Sequence, residues 1–216
     1  MSDNPRMGVP DVAASAQAQM REVGIVMPLG GPLVALRDLV VAAFPDLQVR
    51  ALRGEITFEV PSARLVDVVA FVRDEPGVRC EYLMDLSGVH WPGGTISNQG
   101  QETTGWPVYT AVGPGVIEVD YVLYSVTHGH RLRLRVTTPD DDPSLPSLVH
   151  LYSSANVMER ECYDFFGVRF EGHPNLVRIH MPEEWEGHPQ RKDYPLGGVE
   201  VEYKGAFVPP PDERKY

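Results

Sequence analysis

Cysteine is scarce in this 216-residue chain: Cys80 and Cys162 stand alone and far apart. Two cysteines exclude a disulfide framework, a CxxC redox pair and a four-cysteine iron–sulfur site, and they fit a reducing cytoplasm. Long apolar runs are also missing. The best, Leu39 to Phe44, falls far short of the ~20 residues that cross a bilayer. The first twenty residues, MSDNPRMGVPDVAASAQAQM, lack the basic start and apolar stretch of a secretory signal. Positive charge is in deficit, with a formal net charge of -11, so free nucleic acid is repelled overall. There is no GxGxxG, P-loop, GxSxG or HExxH, which removes the common cofactor and nucleophile signatures.

What is present is a core. Hydrophobic residues make up 43% of the chain, and its 216 residues suffice for one substantial domain with extensions or two small ones. Residues 1–28 are polar, alanine-rich and unpatterned and read as a loosely ordered arm. From Pro32, the spacing of Leu33, Leu36, Leu39, Val40 and Phe44 predicts an amphipathic helix closed by Pro45. Strands over Gln48–Leu52 and Glu55–Val60 follow, joined at Gly54. Ser62 opens a second helix with Leu65, Val68, Val69 and Val72 on its apolar face. A strand over Arg79–Val89 alternates Cys80, Tyr82 and Met84 against Glu81, Leu83 and Asp85. Pro92–Gly115 reads as a long loop, and Ile117–Val126 with Arg131–Thr137 as a hairpin across His128-Gly129-His130.

This order, α-β-β-α-β-β-β over residues 29–138, predicts an α+β fold, a two-layer α/β sandwich with both helices on one sheet face. The character changes at Pro139. A short helix is expected from Ser147 through Leu151. A second, from Ser153 or Ser154 to Phe166, carries Met158, Cys162, Phe165 and Phe166 as its buried stripe and ends at Gly167. Residues 139–196 are otherwise turn-rich and lack the periodicity for a core of their own, so they need a surface to lie on. Residues 197–216 read as an extended tail.

Three groups of polar residues invite a chemical reading. Glu161 and Asp164 share a helix flank, and with His173 they form the candidate set for a free-standing acid/base enzyme. That chemistry needs a carboxyl of raised pKa, whereas the adjacent Arg160 favours ionised forms and an ion-pair network. His128 and His130 lie two apart on a hairpin without a third ligand nearby, which is poor zinc geometry. In RLRLRV, Arg131, Arg133 and Arg135 share one strand face while Leu132, Leu134 and Val136 face the core. In so acidic a chain that basic stripe is expected to meet the chain's own carboxylates or a partner.

The stretch NVMERECYDFFGVRFEGHPNLVRIHMPEEWEGHPQRKDYPL resembles the signature of the C subunit, or 30 kDa subunit family, of the proton-pumping NADH:quinone oxidoreductase, respiratory complex I. The matching elements are Glu159-Arg160-Glu161, Asp164, Phe166-Gly167, Gly172-His173-Pro174, Leu176, Arg178, Trp185-Glu186-Gly187 and Arg191-Lys192-Asp193-Tyr194-Pro195-Leu196. YLMDLSGVHW and the YVLYSVTHGHRLRLRV hairpin are similar to the family's N-terminal half, so the resemblance covers roughly residues 32–210. Two departures are visible: Val157 stands where the family usually has tryptophan, and the Pro92–Gly115 loop is long.

The resemblance implies a non-catalytic subunit of the peripheral arm, on the cytoplasmic side of the membrane in bacteria. It implies no cofactor in this chain, FMN and iron–sulfur clusters being carried by partner subunits. It implies packing mainly against the D subunit, with the B and I subunits nearby, and contact with the membrane only through the complex. Glu159, Arg160, Glu161, Asp164, His173, Arg178, Trp185, Arg191, Lys192 and Asp193 are then the expected partner-interface residues. The alternative is the equivalent subunit of a related membrane-bound hydrogenase or other donor:quinone reductase, which only the co-purifying electron-input subunits distinguish.

Overall fold

The computed structural model describes residues 30–52, 54–93 and 114–195, with the backbone of Val201–Tyr203 and Ala206–Val208. The N-terminal arm, positions 94–113 of the long loop and most of the tail lie outside the described residues.

Helix α1 spans Gly31–Ala43, with Pro32 in its first turn, where a missing N–H costs nothing. It buries Leu36 and Val40 and stops before Pro45. Strands β1 (Gln48–Leu52) and β2 (Glu55–Glu59) form the expected antiparallel hairpin. A 3-10 turn, Ser62–Arg64, leads into α2, Leu65–Asp74, which buries Leu65, Val68, Val69 and Val72. The two helices meet where the rings of Phe44 and Phe71 stack edge-on, 5.4 Å apart.

Strands β3 (Tyr82–Trp91), β4 (Val116–Ser125) and β5 (His130–Pro139) complete a five-stranded sheet of order β1-β2-β5-β4-β3. The β2–β5 pair is parallel, with Phe58 beside Leu134. Period-2 patterning holds without a break in β4 and β5. Ile117, Val119, Tyr121 and Leu123 face inward, as do Leu132, Leu134 and Val136, and all join one buried cluster with the helix residues. On β3 the inward residues are Leu83, Leu86 and His90, while Tyr82 and Met84 are exposed. An irregularity between Leu83 and Asp85 gives β3 an extra residue and shifts its register on β4. The expected pairing of Tyr82 and Met84 with Cys80 on one strand face therefore does not describe β3, which begins at Tyr82; Cys80 is buried ahead of it.

Beyond Pro139 the chain packs onto this same domain. Strand β6 (Ser144–Pro146) pairs in parallel with β7 (Arg169–Glu171), and helix α3 (Ala155–Phe166) lies between them in sequence. Helix α3 approaches β3 closely because Gly88 has no side chain; a Cβ there would lie 2.7 Å from the Phe166 ring. Leu145, Leu148, Tyr152, Cys162, Val168 and Phe170 join the same core, so the turn-rich segment lies on its own chain's domain. The short helix expected over 147–151 is a single turn, in which Leu151 and Tyr152 N–H groups donate to the Leu148 carbonyl. Tyr152 draws the chain away by donating its hydroxyl to the Cys80 carbonyl at 2.6 Å. Within the expected extended tail, β8 (Val201–Tyr203) and β9 (Ala206–Val208) form a two-stranded antiparallel hairpin. Among the described residues no helix is long and apolar enough to cross a membrane.

Candidate functional site

The segment that follows α3, from Val168 to Pro195, has little regular structure, so its backbone groups must find partners elsewhere. Two carboxylates of α3 supply many of them. Asp164 is fully buried, and one of its oxygens, Oδ2, accepts the backbone N–H groups of Ile179, His180 and Met181 at 3.0, 2.7 and 2.9 Å. Its other oxygen accepts Arg178 Nη1 at 2.8 Å. Burial pushes this carboxyl's pKa up, but the three amides and Arg178 outweigh burial and hold it at about 2. Arg178 also reaches the Gly187 carbonyl at 2.9 Å, and His188 Nδ1–H donates to the Asp164 carbonyl at 3.0 Å. The segment is thus folded around one side chain.

Glu159, also fully buried, works in the other direction along the chain. Its carboxyl accepts Ser147 Oγ–H and the Leu148 N–H, both at 2.7 Å, tying α3 to the turn after β6. Burial raises its pKa to about 7, against the opposing pull of these two donors. The family resemblance puts Glu159 and Asp164 at a partner interface. In this chain both are fully buried, and their carboxylates accept from Ser147 and Leu148 and from Arg178 to Met181.

Arg160 is partly turned inward, donating to the Val177 carbonyl at 3.0 Å and more distantly to that of Arg178. His173 donates from Nε2 to the Asn156 carbonyl and accepts the Asn175 N–H at Nδ1, both at 3.0 Å. Arg191 forks onto Asp193 and donates to the Asp140 carbonyl at 2.9 Å. Lys192 contributes its backbone N–H to His90. What remains outward is Glu161, facing His180 at 3.7 Å, with Trp185 and the side chains of Lys192 and Asp193.

The acid/base set is not assembled. Asp164 is saturated with donors and held ionised, Glu161 faces solvent, and both ring nitrogens of His173 are already occupied by backbone groups. The histidines of the β4–β5 hairpin are likewise occupied: their Nε2 atoms lie 2.8 Å from the Pro76 and Val78 carbonyls, and the rings stack. Among the described residues there is no group of three metal-ligating side chains. Arg131, Arg133 and Arg135 meet the chain's own Glu55, Asp120 and Glu118.

Two anchoring residues carry no sequence signal. His90, inward on β3, lies 3.1 Å from Asp140 Oδ2 through Nε2 and accepts the Lys192 N–H at Nδ1. Ser147, the partner of Glu159, appears in the sequence only as a helix cap.

The fold and its anchored segment define an α+β domain that presents an ordered, charged surface outside its sheet. The chain belongs to the family described as respiratory-chain NADH dehydrogenase, 30 Kd subunit, whose profile matches residues 58–200. It is 49% identical over 163 residues to the C subunit of NADH-quinone oxidoreductase from Mycolicibacterium gilvum (strain PYR-GCK), which covers 76% of this chain and 64% of that relative. It is 44% identical over 199 residues to the corresponding C subunit from Mycobacterium sp. (strain KMS), covering 89% and 78%. A chain of the membrane-bound sulfane sulfur reductase, an archaeal respiratory membrane complex, shares the fold with a TM-score of 0.57 at 22% identity, over 74% of this chain and 83% of that one.

Proposed function

We propose that this chain is a non-catalytic structural subunit of the peripheral arm of a proton-pumping NADH:quinone oxidoreductase. In that complex electrons pass from NADH through FMN and iron–sulfur clusters, held by other subunits, to quinone. The chain sits on the cytoplasmic side of the membrane and packs mainly against the D subunit, with the B and I subunits nearby. The observation that carries the reading is the 49% identity to a relative named as the C subunit of NADH-quinone oxidoreductase, together with the family match across the sheet and the anchored segment. The physics of the segment supports it. Burying Asp164 among the amides of residues 179–181 holds residues 168–195 in one shape before any partner arrives, which lowers the ordering cost of assembly. Affinity purification of the tagged chain tests it. The expected result is co-recovery of flavin, iron–sulfur subunits and NADH:quinone activity. Recovery of the chain alone, or with the electron-input subunits of a hydrogenase, overturns it.

A further inference from the structure

His90 stands where three segments converge: its own strand β3, the exit of β5 and the end of the anchored segment. Its side chain is fully enclosed. Nε2 lies 3.1 Å from Oδ2 of Asp140, the residue that follows β5. Nδ1 lies 2.9 Å from the Lys192 backbone nitrogen and 3.6 Å from Asp193 Oδ1. Two carboxylates thus flank one imidazole, one on each ring nitrogen. The cation that joins them is Arg191, which forks onto Asp193 with both contacts at 3.1 Å and donates to the Asp140 carbonyl at 2.9 Å. From β4 the register partner of His90 is Ile117, which is buried and apolar.

We propose that His90 is a pH-operated latch that fastens the end of the anchored segment at high pH and loosens it at low pH. In the neutral ring, Nδ1 carries a lone pair and accepts the Lys192 N–H, which holds that residue against β3. A proton added at Nδ1 turns the acceptor into a donor, and two N–H groups then face each other. The amide has to leave. The acceptor for the new N–H is Asp193 Oδ1, so the imidazolium rests between Asp140 and Asp193 while the exposed Lys192 releases its amide to water. Arg191 then shares Oδ1 with the ring and keeps its hold on the Asp140 carbonyl. Two features make this an exchange of anchors and not a loss of structure. Both carboxylates are in place before the proton arrives, so the buried charge is paired. The Arg191 fork holds the Asp193 carboxyl below its ordinary value, so it stays an acceptor while the ring changes charge. Histidine is the side chain that changes charge near neutrality, which makes the exchange a response to pH. The device belongs to the chain itself and stands apart from the subunit reading above.

The test is NMR of imidazole and amide nitrogens on the full chain, followed from pH 8 to pH 5. At the alkaline end the His90 ring should show the Nε2–H tautomer, with the Lys192 amide protected from exchange. As the ring takes up its proton, Lys192 protection, corrected for the intrinsic exchange rate, should fall roughly tenfold with the same midpoint. Val119, in the middle of β4, should keep its protection throughout. Asp193→Asn removes the alternative acceptor and should move both transitions to lower pH by about one unit. His90→Asn has no proton to gain, so the pH response of Lys192 should vanish. An Nδ1–H tautomer at pH 8, a ring that takes up no proton above pH 5, or level Lys192 protection while the ring titrates overturns the proposal. Loss of protection at Val119 together with Lys192, an unmoved midpoint in Asp193→Asn, or a response that survives in His90→Asn overturns it equally.

Discussion

His90 and Lys192, 102 residues apart in sequence, are joined where the Lys192 backbone N–H donates to His90 Nδ1 at 2.9 Å. Because Nδ1 accepts, the ring's proton sits on Nε2, from which it is donated to Asp140 at 3.1 Å. One fully enclosed ring thus holds the end of the anchored segment against β3 and the exit of β5.

Replacing that ring removes both contacts. His90→Leu is expected to cost roughly 2–3 kcal/mol through two lost hydrogen bonds and the unpaired groups left behind. It should also free the peptide bonds after Arg191 and Lys192 for trypsin. Limited trypsinolysis of parent and variant checks this, and equal cleavage rates at those two sites would refute the pinning role.

Asp164→Asn keeps the shape of the side chain but turns an acceptor into a donor that faces amides and Arg178. The expected loss is roughly 3–5 kcal/mol, the range for breaking a buried charged pair. In the parent, the carboxyl's pKa is depressed from 3.8 to about 2. Its contribution is therefore fully present above pH 3.8 and is lost as pH falls toward 2. Urea unfolding across that window should show the acid limb in the parent and a flatter one in the variant.

Glu159 has the opposite sign. Its folded pKa, about 7, lies above the ordinary 4.5. Between those values the folded chain holds a proton that the unfolded chain has released, so stability falls as pH rises from 4.5 to 7 and is level above. The effect across the window is roughly 3–4 kcal/mol. Glu159→Gln should abolish this slope, as read from denaturant midpoints at pH 5 and pH 8; an unchanged slope would count against it.

Gly167 ends α3 with φ of 80°, and a Cβ there would lie 2.6 Å from His188 Cδ2. Gly172 has φ of 84° with open space around it. Gly172→Ala should cost about 1 kcal/mol for the dihedral alone, and Gly167→Ala roughly 2–3 kcal/mol because His188 must also move. Thermal unfolding of the pair measures the difference. Equal costs would show that the His188 contact yields freely.

Inward and outward faces were legible in local residue spacing. Alternation in Ile117, Val119, Tyr121 and Leu123, and in Leu132, Leu134 and Val136, assigned the core side of β4 and β5, and the same alternation put Arg131, Arg133 and Arg135 outside. Helix spacing did the same for Leu36 and Val40 and for Val68, Val69 and Val72. Such patterns are legible because apolar burial repeats with the period of the local backbone. Tertiary structure alone decided which carboxylates of Glu-Arg-Glu and Asp164 go inside. Glu159 and Asp164 are buried and Glu161 is not, because the donors that stabilise them, from Ser147 and Leu148 on one side and Arg178 to Met181 on the other, come from turns without periodicity. The His90–Lys192 contact shares that cause. A polar contact between distant segments depends on which backbone groups are left unpaired once the chain has packed, and no local spacing records that.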